Sequence, residues 1–246
     1  MTQRNDTWHL LNRPDRQVRL YVSIVLIALL LSGLALLFGP GPRASAMANA
    51  GDNGHVYVLN NDLTAFNSIT VFNRGGDGSL TESGTFSIGG LGSLTAFADG
   101  TQGSLILTRD EGTRLFAVDA GSNQISVVNV HNGSLSPVGV FSSGGVGPIS
   151  LTYRDGLLYV LNAANGTTAS ANVAGFHVDD AGTLHPIAGA TQPLTTARPD
   201  PGQVQIDPSG RFLLVTEKLT NLIDVYRIHH DGSLSSPSSI PSVGAV

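Results

Sequence analysis

Few side chains in this sequence of 246 residues are equipped for chemistry, and the most suggestive ones fall close together. Glu217 ends the run Phe212-Leu213-Leu214-Val215-Thr216, where a carboxyl can act as a general acid or base. The matching place in the other repeats of the chain holds Asn60, Asp119 and Asn162, so a polar residue there is also a way of ending a strand. Lys218, the single lysine, offers its charge to an anionic ligand or is a solvated turn residue. Arg198 lies in the insertion Thr195-Thr196-Ala197-Arg198-Pro199-Asp200, where it meets a carboxylate or phosphate, or else pairs with Asp200 at the surface. Gln203 and Gln205 alternate with Val204 and give one strand a polar face suited to a central channel.

Other candidates are weaker. Neighbours on a strand face opposite sides, so His229-His230 cannot hold one metal through both rings. His177 and His185 straddle a turn without a visible third ligand. No nucleophile elbow, zinc-binding His-Glu-x-x-His or phosphate-cradling Gly-Lys-Ser/Thr loop occurs, so neither a metal nor another cofactor is expected. With 13 basic against 18 acidic residues and a net charge of -5, the chain is a poor partner for nucleic acid. It has no cysteine, which excludes thiol catalysis, zinc ribbons and disulfide scaffolds.

The elements that must position these residues repeat along the chain. Asp77-Gly78-Ser79-Leu80, Asn132-Gly133-Ser134-Leu135, Ala181-Gly182-Thr183-Leu184 and Asp231-Gly232-Ser233-Leu234 set their leucines 55, 49 and 50 residues apart. Such turns supply the positive φ of a hairpin, and a period near 50 points to a propeller. Each turn follows an alternating run such as Ile125-Ser126-Val127-Val128 or Ile223-Asp224-Val225-Tyr226, which itself follows a strand such as Val56 to Asn60 or Leu158 to Asn162. Three units carry a leading strand, at Ser104 to Thr108, Ile149 to Tyr153 and Gln203 to Asp207, and the first unit lacks one. The expectation is an all-β propeller of four-stranded blades at 55–100, 101–147, 148–202 and 203–246, about four repeats in a ring that is incomplete. The end blades of such an arc would leave apolar faces and strand edges open, which predicts aggregation or pairing with another chain.

The first 50 residues read differently. Arg4, Arg13, Arg16 and Arg19 precede an uncharged stretch from Leu20 to Phe38, then Gly39-Pro40-Gly41-Pro42 and small-residue cleavage sites after Ala46 or Ala48. This is an N-terminal hydrophobic helix, either a cleaved secretory signal or an uncleaved membrane anchor, and both place the remainder outside the cytoplasm.

Val-Tyr-Val-Leu-Asn at 56–60, the Asn-x-Ile-x-Val-Phe run and the Asp-Gly-Ser-Leu turn together resemble the lactonase family of seven-bladed β-propellers. This family includes 6-phosphogluconolactonase-like and carboxymuconate cyclase-like proteins. Asp207-Pro208-Ser209-Gly210-Arg211-Phe212-Leu213-Leu214-Val215 is similar to the family's most recognisable stretch, and the likeness runs from 55 to 246. Seven blades need on the order of 350 residues, so the resemblance implies a truncated product or a piece of a longer protein. It also implies ring opening of a sugar-acid or muconate-type lactone, with Glu217 moving the proton and Arg198, Gln203 and Lys218 holding the substrate. One departure counts against activity: Gly202, after Pro201, stands where family enzymes carry a histidine. The alternatives are a non-catalytic propeller that binds a ligand or protein outside the membrane, and an inactive fragment.

Overall fold

The computed structural model describes residues 54–62, 65–93, 102–108, 114–164, 169–196 and 199–242. The arginine-rich and apolar N-terminal stretch lies outside the described residues, as does Arg198. Among the described residues no helix is long and apolar enough to cross a membrane.

The first sheet is β1 (Gly54–Leu59), β2 (Phe66–Arg74) and β3 (Leu80–Leu91), paired in chain order. The second is β4 (Leu105–Thr108), β5 (Arg114–Asp119), β6 (Gln124–His131) and β7 (Ser134–Ser142). The third is β8 (Pro148–Arg154), β9 (Leu157–Asn162) and β10 (Asn172–Val178), with an outer strand broken into β11 (Leu184–Pro186) and β12 (Gln192–Pro193). The fourth is β13 (Pro201–Ile206), β14 (Phe212–Glu217), β15 (Leu222–Arg227) and β16 (Ser238–Pro241). All pairings are antiparallel, and each sheet is an up-and-down meander. This is the propeller-like, all-β fold that the repeat predicts, with no leading strand in the first sheet among the described residues.

The core lies between successive sheets. Side chains alternate faces along a strand, so Leu115 and Ala117 of β5 pack against Ile69, Val71 and Ile88 of the first sheet. Phe116 and Val118 of the same strand point the other way, into a cluster with Leu158, Val160 and Phe176 of the third. Tyr159 and Leu161 then join Val204, Leu213, Val215 and Tyr226 of the fourth. Two buried faces explain why these strands read as unbroken apolar runs rather than as clean alternations.

The turns differ in one detail from the sequence expectation. Asn132-Gly133 has positive φ at both residues, 49° and 78°, as a tight two-residue hairpin requires. In Asp231-Gly232 only the glycine does, and Gly232 N donates to His229 O at 2.9 Å, which makes a longer loop around an ordinary turn.

Candidate functional site

β13 and β14 are joined in register at their ends by Pro201 opposite Glu217, and Glu217 in turn faces Leu222 across the Lys218–Asn221 turn. Glu217 is only 2% exposed. Its Oε2 accepts hydrogen bonds from Thr196 Oγ1 at 2.8 Å and Thr220 Oγ1 at 2.5 Å, while buried Oε1 has no donor. Two residues along β15 from Leu222 stands Asp224, fully buried and on the same face of the sheet as Glu217. Thr195 holds Asp224 from the other side, Oγ1 donating to Oδ1 at 2.6 Å and the backbone N to Oδ2 at 2.8 Å.

Burial pushes the Asp224 carboxyl above the usual range; the Thr195 bonds oppose the shift, and the negative charge of Glu217 and its hydrogen bond reinforce it. Tyr226, whose hydroxyl donates to Pro193 O at 2.9 Å, is raised as well, first by burial and then by the charges of Asp224 and Glu217. Burial and a neighbouring carboxyl both disfavour the charged form, so Asp224 gives up its proton less readily than an exposed acid does.

The pair has counterparts in each sheet. Registers place Asn60 and Thr70, Asp119 and Ser126, and Asn162 and Ala174 where the fourth sheet has Glu217 and Asp224. Asn60 Nδ2 donates to Thr70 Oγ1 at 3.0 Å, Ser126 Oγ lies 2.6 Å from Asp119 Oδ2, and Asn162 Nδ2 donates to Asn172 Oδ1 at 2.8 Å. A polar residue at the strand end is therefore a repeat-wide feature, but only the fourth sheet builds it from two acids. Sequence reading missed Asp224. The signal was an acid inside the alternating run Ile223-Asp224-Val225-Tyr226, at a position that is Thr, Ser or Ala elsewhere.

Lys218 Nζ pairs with Asp200 Oδ1 at 3.3 Å, with both side chains about half exposed. Gln203 sits half-buried on β13, its backbone N donating to Thr216 Oγ1 at 3.1 Å. Gly202 is buried, and a Cβ there would meet Thr216 Oγ1 at 3.0 Å. His177 and His185 are direct cross-strand partners, but His185 Nε2 contacts Asp179 Oδ2 at 2.8 Å, and that bond is the main cause holding the Asp179 carboxyl down near 2. Among the described residues no cluster of three or more metal-ligating side chains forms.

A groove of about 300 Å³ runs along the leading strands of three successive sheets, lined by Ile106, Leu107, Leu151, Thr152, Tyr153 and Gln205. Gln205 Nε2 donates to Thr152 Oγ1 at 3.3 Å and to Ile206 O at 3.1 Å, which leaves its carbonyl oxygen for a ligand. Gln205 pairs with Leu214 whereas Pro201 pairs with Glu217, so the groove and the carboxyl pair occupy opposite ends of β13. The lining is neutral throughout.

No family model and no curated protein matches the chain. Among solved structures, a functionally unknown protein from Desulfotomaculum acetoxidans matches at 19% identity and a TM-score of 0.50, over 69% of this chain and 50% of that one. The likeness is one of fold, an all-β propeller-like arrangement of antiparallel sheets. This propeller chain thus spans about half the length of the Desulfotomaculum protein. The periplasmic gluconolactonase of Pseudomonas aeruginosa matches at 15% identity and a TM-score of 0.42, over 78% of this chain and 68% of that one. Hydrazine synthase of Kuenenia stuttgartiensis matches at 14% identity and a TM-score of 0.49, over 70% and 49%.

Proposed function

We propose that this lactonase-like propeller works outside the cytoplasm on a small lactone of the sugar-acid or muconate type, and that Glu217 handles the proton of ring opening. The observation that carries the reading is the placement of two buried carboxyls, Glu217 and Asp224, on one face of the fourth sheet, where the other sheets use amides, hydroxyls or a single acid. A pair that keeps one proton offers a donor and an acceptor together. The acceptor takes a proton from water as it attacks the lactone carbonyl, and the donor gives one to the ring oxygen as its bond to that carbon breaks. Arg198 and Gln203 remain the groups proposed to hold the substrate's polar side; Lys218, engaged with Asp200, is a weaker candidate.

A second reading has its own support. Glu217 is 2% exposed behind Thr196 and Thr220, Gly202 stands in the family's histidine position, and the neutral groove lies at the far end of β13. These favour a binding module that takes a small neutral ligand in the groove and uses the carboxyls to hold its own loop. Lactone opening assayed with the wild type and Glu217→Gln separates the two. The first reading expects the variant to lose roughly 100-fold or more in kcat/KM. The second expects no activity in either protein, with ligand binding that is weakened by Gln205→Ala.

A further inference from the structure

The three junctions between neighbouring sheets repeat one contact. His55, Arg114 and Leu157 hold equivalent register positions, opposite Asn73, Asn129 and His177, and each reaches the hairpin turn of the following sheet. A Cβ added to the turn glycine would lie 2.5 Å from His55 at Gly133, 3.0 Å from Arg114 at Gly182 and 2.8 Å from Leu157 at Gly232. The leucine two places after the glycine is covered at the same junction: Leu184 and Leu234 are 5% exposed, and Leu135 is half-buried against the cluster shared with the first sheet. The first and fourth sheets each hold one half of this contact and lack the other. Nothing lies within 4 Å of a Cβ added to Gly78, and its leucine, Leu80, is 52% exposed. On the fourth sheet Phe212, opposite Arg227, takes the place of His55, Arg114 and Leu157, and it is only half-buried.

We propose that two copies of this chain associate head to tail, the fourth sheet of each against the first sheet of the other, with Phe212 seated on the Gly78–Leu80 turn. The sheet faces behind these turns match in the same way. Registers give Leu214, Ile223 and Val225 the places that Phe116, Ile125 and Val127 hold in the second sheet. Val56, Val58 and Phe72 take the places of Leu158, Val160 and Phe176 in the third. Those second-sheet and third-sheet residues pack on one another in a single buried cluster, whereas their counterparts are half-buried and Val58 is exposed. Both halves of one apolar contact thus sit on every chain, which makes a second copy the fitting occupant. The pair closes on itself, because Phe212 of either copy meets Gly78 of the other, and no half is left open. It brings eight sheets together, within the range of about four to eight with which propellers close. The association does not depend on the chemistry proposed for Glu217.

The test is sedimentation equilibrium of the full chain over a concentration series, in a mild detergent that keeps its apolar N-terminal stretch dispersed. The wild type should have the mass of two chains. Phe212→Glu on the fourth sheet and Leu80→Lys on the first should each raise the dissociation constant roughly 30-fold or more. Ile240→Glu, on the same face as Ile223 and already 52% exposed in the single chain, should do the same and spares the core if Phe212→Glu lowers the melting temperature. Mixing Phe212→Glu with Leu80→Lys leaves one intact fourth sheet facing one intact first sheet, so the mixture should regain a dimer that neither variant forms alone. A wild type that stays monomeric throughout the series would overturn the closed pair. So would a dimer that all the variants retain, which would place the association elsewhere on the chain, a ladder of larger species, or a mixture that stays monomeric.

Discussion

Ser126 Oγ has one hydrogen and two acceptors within reach, Asp119 Oδ2 at 2.6 Å and Ile88 O at 3.0 Å. If Asp119 is protonated it donates to Ser126, Ser126 donates to Ile88, and Asn67 Nδ2 still donates to Asp119 Oδ1 at 3.0 Å, so every buried group is satisfied. Burial accordingly pushes the Asp119 carboxyl up to about 6, against the opposing bonds from Ser126 and Asn67. A raised acid stabilises the fold fully below its unfolded value and loses that contribution as pH passes the folded value, here near 6. Asp119→Asn, which keeps an acceptor for Asn67 and a donor for Ser126, should gain on the wild type in melting temperature as pH rises from about 4 to about 8. A constant difference between the two proteins over that range would refute the protonated network. Lys218→Ala should shift stability by less than about 0.5 kcal/mol in denaturant melts, because its pair with Asp200 is exposed on both sides. At this scale Glu217 was legible as the acid at a strand end, but its partner was not. Glu217 and Asp224 meet diagonally across a hairpin, and only the register, Glu217 opposite Leu222 and Val215 opposite Asp224, puts them on one face.

Backbone at the end of one sheet or just beyond it lies over strand-end residues of the next, at distances that differ from sheet to sheet. Near the end of β3, a Cβ on Gly90 would lie 2.1 Å from the Asp119 carboxyl; after the second sheet, one on Gly145 would lie 2.5 Å from Asn172 Oδ1. After the third, threonines replace the glycines and bond to the carboxyls instead. Gly90→Ala should therefore destabilise by about 2–3 kcal/mol, since Asp119 is walled in and cannot yield. A change in the denaturant midpoint worth under about 0.5 kcal/mol would show that the end of β3 yields to the added methyl group. The strands themselves were readable from turn spacing and apolar runs, and β13 begins at Pro201, two residues ahead of the expected boundary. The broken outer strand of the third sheet was not readable. Between Phe176 opposite Pro186 and Val173 opposite Gln192, β10 advances three residues while its partner advances six, and the surplus loops out. Pro186 and Pro193 are tolerated there because that strand is the sheet's edge.

Across the described molecule, stability resides in three apolar clusters, each filled from two neighbouring sheets, so no sheet owns a core of its own. That was foreseeable from runs such as Leu158-Tyr159-Val160-Leu161, which leave neither face of a strand polar. Which end of the sheets carries a reactive group was not foreseeable, because it depends on where linkers and turns converge: the acids gather where the linker from the third sheet meets the β14–β15 turn, and the groove opens at the opposite end of β13. The proposed role of the carboxyl pair is to handle a proton in lactone opening. The most direct measurement is hydrolysis of a panel of sugar-acid and muconate-type lactones by the full chain and by Glu217→Gln, with melting curves on the same preparations. Proton handling by the pair predicts a wild-type rate above buffer for at least one lactone and a loss of roughly 100-fold or more in the variant, with a melting temperature no lower than wild type at neutral pH. A wild type no faster than buffer on every lactone, or a variant as active as the wild type, would contradict it.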